Sequence, residues 1–156
     1  MKINTTRFGE IEIDENLIFD FIDPILGYEH LPKFFLVDYS SESPFKWLQA
    51  IDDPEIAFPV TFAGYFGLDY QFVIPEEDAK RLELKSAEEL LTLNIVSIPP
   101  GEPQKATINL LGPLVINIYT KKAMQLVLVN TNYSVKHSLF ANNKIATPAI
   151  AEKVEQ

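Results

Sequence analysis

The chain has 156 residues, 47% of them hydrophobic, with no cysteine and a formal net charge of −9. That length predicts one domain, and the missing cysteines exclude a disulfide frame, a thiolate nucleophile and a sulfur-bound metal. Acidity with only two arginines, Arg7 and Arg81, opposes direct nucleic-acid binding, because phosphate backbones are held by Lys and Arg that displace counterions.

The opening residues 2–6 and 10–14 bracket Arg7-Phe8-Gly9, and Gly9 can take the positive φ a hairpin requires. Residues 10–14 alternate strictly, so Ile11 and Ile13 are expected to face the core while Glu10, Glu12 and Asp14 share a wet face. Leu17, Ile18, Phe19 and Phe21 suggest a short buried strand, and residues 23–28 a loop broken by Pro24 and Gly27. A strand over 34–39 and a turn over 40–44 lead into residues 45–60, which read as strand, acidic corner and strand. Asp52-Asp53-Pro54 specifies that corner: Asp carboxylates bond the backbone ahead of them and Pro54 presets φ. Trp47, Phe45 and Phe58 are expected in the core.

Residues 56–62 are apolar, residues 64–67 form an aromatic loop tip, and 70–74 form another strand. Pro75, then Glu76, Glu77 and Asp78, with Lys80 and Arg81 beyond, predict one helix of two to three turns with its charges matched to the dipole. Ser86 and Glu89 have capping-box spacing, so their carboxylate neighbours need no chemical role. Strands follow over 91–98, 106–110, 114–119 and 124–129, with turns at Pro99-Pro100-Gly101, Leu111-Gly112-Pro113 and Lys121-Lys122. Residues 141–156 are polar and fit either a docked helix or a loose tail. About ten strands, one or two short helices and no βαβ rhythm predict a mostly β fold: a compact, antiparallel β-barrel-like single domain over residues 1–140.

Catalytic groups are sparse. His30 and His137 lack zinc-site spacing and are expected to be surface or packing residues. Neither a phosphate-cradling glycine loop nor Gly-x-Ser-x-Gly occurs. Asp52 and Asp53 are adjacent in a turn, where side chains diverge, which does not suit the paired carboxylates of a glycosidase. No catalytic residue, cofactor or metal ligand is therefore assigned. No apolar run approaches the ~18–20 residues of a membrane span, and polar residues follow Met1-Lys2-Ile3-Asn4, so a cytoplasmic protein is expected.

Charge is unevenly distributed. Residues 1–78 carry sixteen acids against four bases, a balance of −12, and residues 79–156 carry six against nine, a balance of +3. Acidity of this kind can serve solubility alone, or it can favour a basic partner protein by speeding encounter and setting orientation. On the second reading Glu10, Glu12, Asp52, Asp53 and Glu55 form part of the partner surface.

Four segments together resemble the FliW family of bacterial flagellar assembly factors. They are Thr6-Arg7-Phe8-Gly9-Glu10-Ile11-Glu12-Ile13; Phe45-Lys46-Trp47-Leu48-Gln49-Ala50 with Asp53-Pro54-Glu55-Ile56-Ala57-Phe58; the run 106–117; and Tyr133 with His137-Ser138-Leu139. One loop departs: where many members read Gly-Ile-Pro-Gly-Phe, this chain has Pro24-Ile25-Leu26-Gly27-Tyr28. The resemblance implies a non-enzymatic barrel, monomeric alone, that binds CsrA, a small RNA-binding translational repressor, and also binds flagellin. In that scheme free flagellin occupies the factor; after flagellin export the factor binds CsrA and relieves repression, without touching RNA. Asn109 and Asn117 match the family's C-terminal signature and are either partner contacts or shape-keeping residues. Two other readings stay open at this point, a flagellin holdase without a role in translation, and an enzyme with a deep carboxylate-lined pocket.

Overall fold

Alternation in the short apolar runs becomes a set of strands that close on themselves. The structure is a computed structural model and describes residues 1–38 and 42–140. The expected strand end at Tyr39, the start of the following turn and the segment 141–156 lie outside the described residues.

The elements in order are β1 (Lys2–Thr5), β2 (Gly9–Glu12), β3 (Phe19–Asp23), β4 (Lys33–Val37), β5 (Lys46–Ala50) and β6 (Ala57–Thr61). Helix α1 (Glu76–Arg81) follows, then β7 (Leu90–Ser97), β8 (Thr107–Ile108), β9 (Leu114–Asn117), β10 (Lys122–Gln125) and β11 (His137–Ser138). Strands β1 and β2 form a separate hairpin. Strand β7 pairs with β6 through its later half and with β9 through its first half, which closes a seven-stranded barrel in the order β7-β6-β5-β4-β3-β10-β9. Six of its joints are antiparallel, and the seam between β3 and β10 is parallel. Beyond the barrel, β8 and β11 extend the far end of β7.

The barrel interior is filled by Phe19, Phe21, Phe34, Leu48, Val60, Leu93, Leu114 and Ile116, all buried. The Phe21 and Phe34 rings meet edge to face at 5.4 Å, a geometry that suits their quadrupoles. A second cluster at the β8 end joins Val96, Ile108, Leu110 and Leu139 to the aromatic loop tip through Phe66. A third lies outside β9 and β10, where Leu82, at the end of α1, packs on Val115, Met124 and Leu126. Strand β9 is therefore buried on both faces, which explains its lack of polar alternation.

Several expectations are corrected by the packing. Leu17 ends a 3-10 turn instead of starting a strand and is 48% exposed; Asp14 caps that turn by accepting the Asn16 amide at 2.9 Å. Helix α1 has six residues, shorter than predicted, with Pro75 as its N-cap residue. Ser86 makes no side-chain cap, although Glu89 reaches back to accept the Lys85 amide at 2.8 Å, one residue earlier than a capping box places it. Residues 70–74 pair with no strand. Their first residue instead ties the end cluster: Tyr70 Oη donates to the Leu110 carbonyl at 2.6 Å and accepts from Asn94 Nδ2 at 3.3 Å.

Two stability predictions follow from this core. Phe34→Ala empties a fully buried position at the barrel centre and is expected to cost about 3–5 kcal/mol, read as a lower urea midpoint at unchanged m-value. Burial pushes the Tyr70 phenol from 10.0 up to about 12, against the opposing bond from Asn94 and reinforced by Tyr133. The folded state therefore holds that proton longer than the unfolded chain. The stability gained is complete below the unfolded value of about 10 and is lost as pH rises through about 12. Urea midpoints measured across that window should fall, and Tyr70→Phe should flatten the fall while lowering stability at neutral pH.

Candidate partner-binding surface

The hairpin and the acidic corner are built separately and then locked together. In the hairpin, Thr5 is buried; its hydroxyl donates to the Gly9 carbonyl at 2.8 Å and accepts the Phe8 amide at 2.8 Å. Gly9 takes φ +72°, a region side-chain-bearing residues avoid. The chain's amino group binds Glu12 at 2.5 Å, and that carboxylate raises the amine pKa, chiefly through the hydrogen bond. Ile13 closes the hairpin's open end by donating its amide to the Met1 carbonyl at 2.8 Å.

At the corner the organising group is Gln49, fully buried on the outer face of β5. Its Nε2 points into a ring of backbone carbonyls, those of Ala50 and Ile56 at 3.1 Å and, more distantly, Pro54 and Asp53 at 3.3 and 3.4 Å. Asp53 shapes the same turn by accepting the Glu55 amide at 3.0 Å. The carboxylates are thereby held on a rigid loop: Asp52 and Glu55 are exposed and Asp53 is half-buried.

Three contacts dock the hairpin on this corner. The Thr6 amide donates to the Pro54 carbonyl at 2.9 Å. The Arg7 guanidinium lies 3.8 Å from the centre of the Trp47 ring, and Phe8 meets the same indole edge-on at 6.3 Å. Trp47 is thus half-buried on the outside of the barrel under the hairpin, not in the core. The face rule explains this: Leu48 points inward, so its neighbours Trp47 and Gln49 point outward. Phe45 and Phe58 do pack on core clusters, at their margins.

The docking fixes the hairpin's turn, the residues that lead into β2 with Glu10 and Glu12, against the corner that carries Asp52, Asp53 and Glu55. Among the described residues, Glu12 alone of the five has a cationic partner, the amino terminus. Asn109 and Asn117 are elsewhere. Asn109 Oδ1 accepts the Gly112 amide at 2.8 Å and holds a bend in which a Cβ on Gly112 would meet Gln125 Nε2 at 2.8 Å. Asn117 is buried and spends both ends of its amide on backbone. Its Nδ2 donates to Leu82 and Glu83 carbonyls at 2.8 and 3.3 Å, and its Oδ1 accepts the Tyr119 and Thr120 amides at 2.8 and 3.3 Å. It ties the end of α1, where Glu83 adopts φ +61°, to the turn after β9. Both side chains are bonded to backbone here, as the shape-keeping reading expects, while Asn109 stays half-buried at the surface. Sequence reasoning missed Gln49 and Arg7; a polar residue inside an apolar strand beside a Pro-containing turn was the available signal for Gln49.

The described residues contain no group of three or more His, Cys, Asp or Glu side chains placed to hold a metal. His30 is exposed; His137 is half-buried in β11, and burial lowers its pKa.

With this geometry in view, a family model described as "FliW protein" matches residues 2–139. The chain belongs to the FliW family. It is 41% identical over 137 residues to the flagellar assembly factor FliW of Thermotoga neapolitana, covering 88% of this chain and 92% of that one. It is 39% identical over 142 residues to the FliW of Treponema denticola, covering 90% and 95%. A crystal structure of the flagellar assembly factor FliW superposes with a TM-score of 0.83 at 29% identity, over 91% of this chain and 99% of the other. The barrel, its docked hairpin and β11 all fall within the matched span, so the FliW fold accounts for the whole described domain.

Removing the Gln49 amide tests the corner. Gln49→Ala should cost about 1–3 kcal/mol by emptying a fully buried position and removing the donor that gathers the corner carbonyls, and Gln49→Glu should cost more by turning an oxygen toward them. Denaturant midpoints give the energy. Faster amide exchange at Thr6 and Ile56 would place the loss at the hairpin–corner joint.

Proposed function

We propose that the chain is a flagellar assembly factor that works by binding proteins in the cytoplasm and catalyses no reaction. The observation that carries this reading is the family match across residues 2–139, the entire barrel. On the same reading its partners are a CsrA-type translational repressor and flagellin, exchanged as flagellin is exported, with no contact to RNA or membrane. The flank formed by the hairpin and corner supports a basic partner. Four exposed or half-buried carboxylates, Glu10, Asp52, Asp53 and Glu55, lack cationic partners among the described residues, and the elements bearing them are held rigidly. Fixed charges of one sign raise association rates and orient a complementary surface.

Isothermal titration of purified CsrA into the full chain is expected to yield a complex, and a flat titration at micromolar concentrations would remove the repressor from the scheme. Reversing Glu10, Glu12, Asp52, Asp53 and Glu55 to lysine together should slow association and weaken its dependence on salt. Unchanged kinetics would mean that this flank is not the contact. The alternative is a flagellin holdase with no role in translation. Adding the chain to an in vitro translation of flagellin message with CsrA separates the two, because a holdase leaves repression intact.

A further inference from the structure

The parallel seam of the barrel ends early, and its end leaves a sheet edge open. Strand β10 follows β3 through Ala123, the register then shifts by one residue at Met124, and pairing stops opposite Asp23. The chain continues in extended form on its other side, where the Leu126 and Leu128 amides donate to the Pro113 and Leu111 carbonyls, both at 2.9 Å. Backbone amides alternate in direction along an extended segment, so those of Val127 and Val129 point the opposite way. They have no partner among the described residues. Side chains alternate as well: Leu126 packs under α1, while Val127 and Val129 are 57% and 76% exposed.

Across a groove of about 530 Å³ lies the second unpaired segment, residues 71–75. The Tyr133 hydroxyl pins its start, accepting the Gln71 amide at 2.9 Å and donating to the Gln71 carbonyl at 3.0 Å. The amides of Phe72, Val73 and Ile74 have no partner among the described residues, and Val73 is 85% exposed. At the other end of the groove Asp23 and Asp78 share one cation, Arg81, which binds Asp23 through both guanidinium nitrogens at 2.6 and 2.7 Å and lies 3.7 Å from Asp78. No lysine or arginine lines the groove.

We propose that this groove is a docking site for an extended segment of a partner protein, which adds as a β-strand to the 125–129 edge. Open backbone donors beside exposed valines call for a strand with β-branched or other apolar side chains. Two carboxylates against one guanidinium call for a lysine or arginine at the end that lies over Asp78. A second copy of the chain fits poorly, because each copy carries a net charge of −9. Around the barrel, β4 and β3 separate this site from the acidic corner on β5, and the proposal does not depend on the partners named above.

The test uses the full chain and an acetylated hexapeptide amide, Lys-Val-Thr-Val-Thr-Val, followed by amide hydrogen exchange. The Val127 and Val129 amides should exchange rapidly in the free protein and slow by at least about tenfold with peptide bound, as for a newly formed backbone bond. Val127→Pro removes one open donor without removing a bond of the fold, so it should keep the melting temperature and weaken peptide binding about tenfold. Val129→Lys, at an exposed side chain, tests the same edge if the proline variant does not fold. The proposal is overturned by an absence of protection at millimolar peptide, by protection that both variants leave unchanged, or by protection that rises with protein concentration alone, which would make the occupant a second copy.

Discussion

A closed barrel of seven strands cannot be antiparallel throughout, because alternating directions around a ring return to their start only after an even number of steps. One parallel joint is therefore obligatory, and here it is the β3–β10 seam. Parallel partners cannot be joined by a tight turn. Residues 24–121 intervene, and within them the chain makes every other strand of the ring. Strand β7 completes the circuit by pairing with β6 and β9 along different halves of its eight residues. The fold depends on that shared strand and that seam: one closes the ring, and the other reconciles its directions.

Closure also explains what covers the outside. Seven strands enclose a narrow interior that large apolar side chains fill, so further apolar surface must be buried outward. Strands β9 and β10 do this beneath the end of α1, with the Arg81–Asp23 pair spanning the junction and Lys122 binding Glu83 beside it. Strand β5 does it beneath the hairpin, where Trp47 receives Arg7 and Phe8. Two of the fully buried polar groups, Gln49 and Asn117, lie at these two covers and convert loop carbonyls into fixed scaffolding.

What the sequence made legible follows the same division. Local signals were readable: Gly9 in the hairpin, Asp53 and Pro54 at the corner, and the acidic start of α1 each act within a few residues. Barrel closure was readable as a class from the count of strands, but the parallel seam joins residues about a hundred positions apart and leaves no local mark. Trp47 was placed in the core because its type suggests burial; its face depends on register, which a one-residue shift inverts. Residues 70–74 have strand composition yet no partner strand, since β-propensity reports fit to a sheet surface and not the presence of a neighbour. Asn109 and Asn117 could be located as special positions, but whether an amide turns outward or to backbone is decided by the loops around it.

Barrels abolish edges, so strand-type recognition on such a fold is confined to places where the ladder fails. The run beyond the β10 register shift is such a place; the acidic flank, where the separate hairpin docks on the corner after β5, is a surface of another kind. Both are held by rigid neighbours, Gln49 at one and the Leu111 and Pro113 carbonyls at the other. Between them lie β4 and β3, paired along closed ladders and filled by Phe21 and Phe34. A close-packed wall of this kind is stiff and passes strain on instead of absorbing it. Occupancy of one surface can therefore act on the other through the wall as well as by collision between bound partners, and a short peptide in the β10 groove, too small to reach around the barrel, separates the two routes.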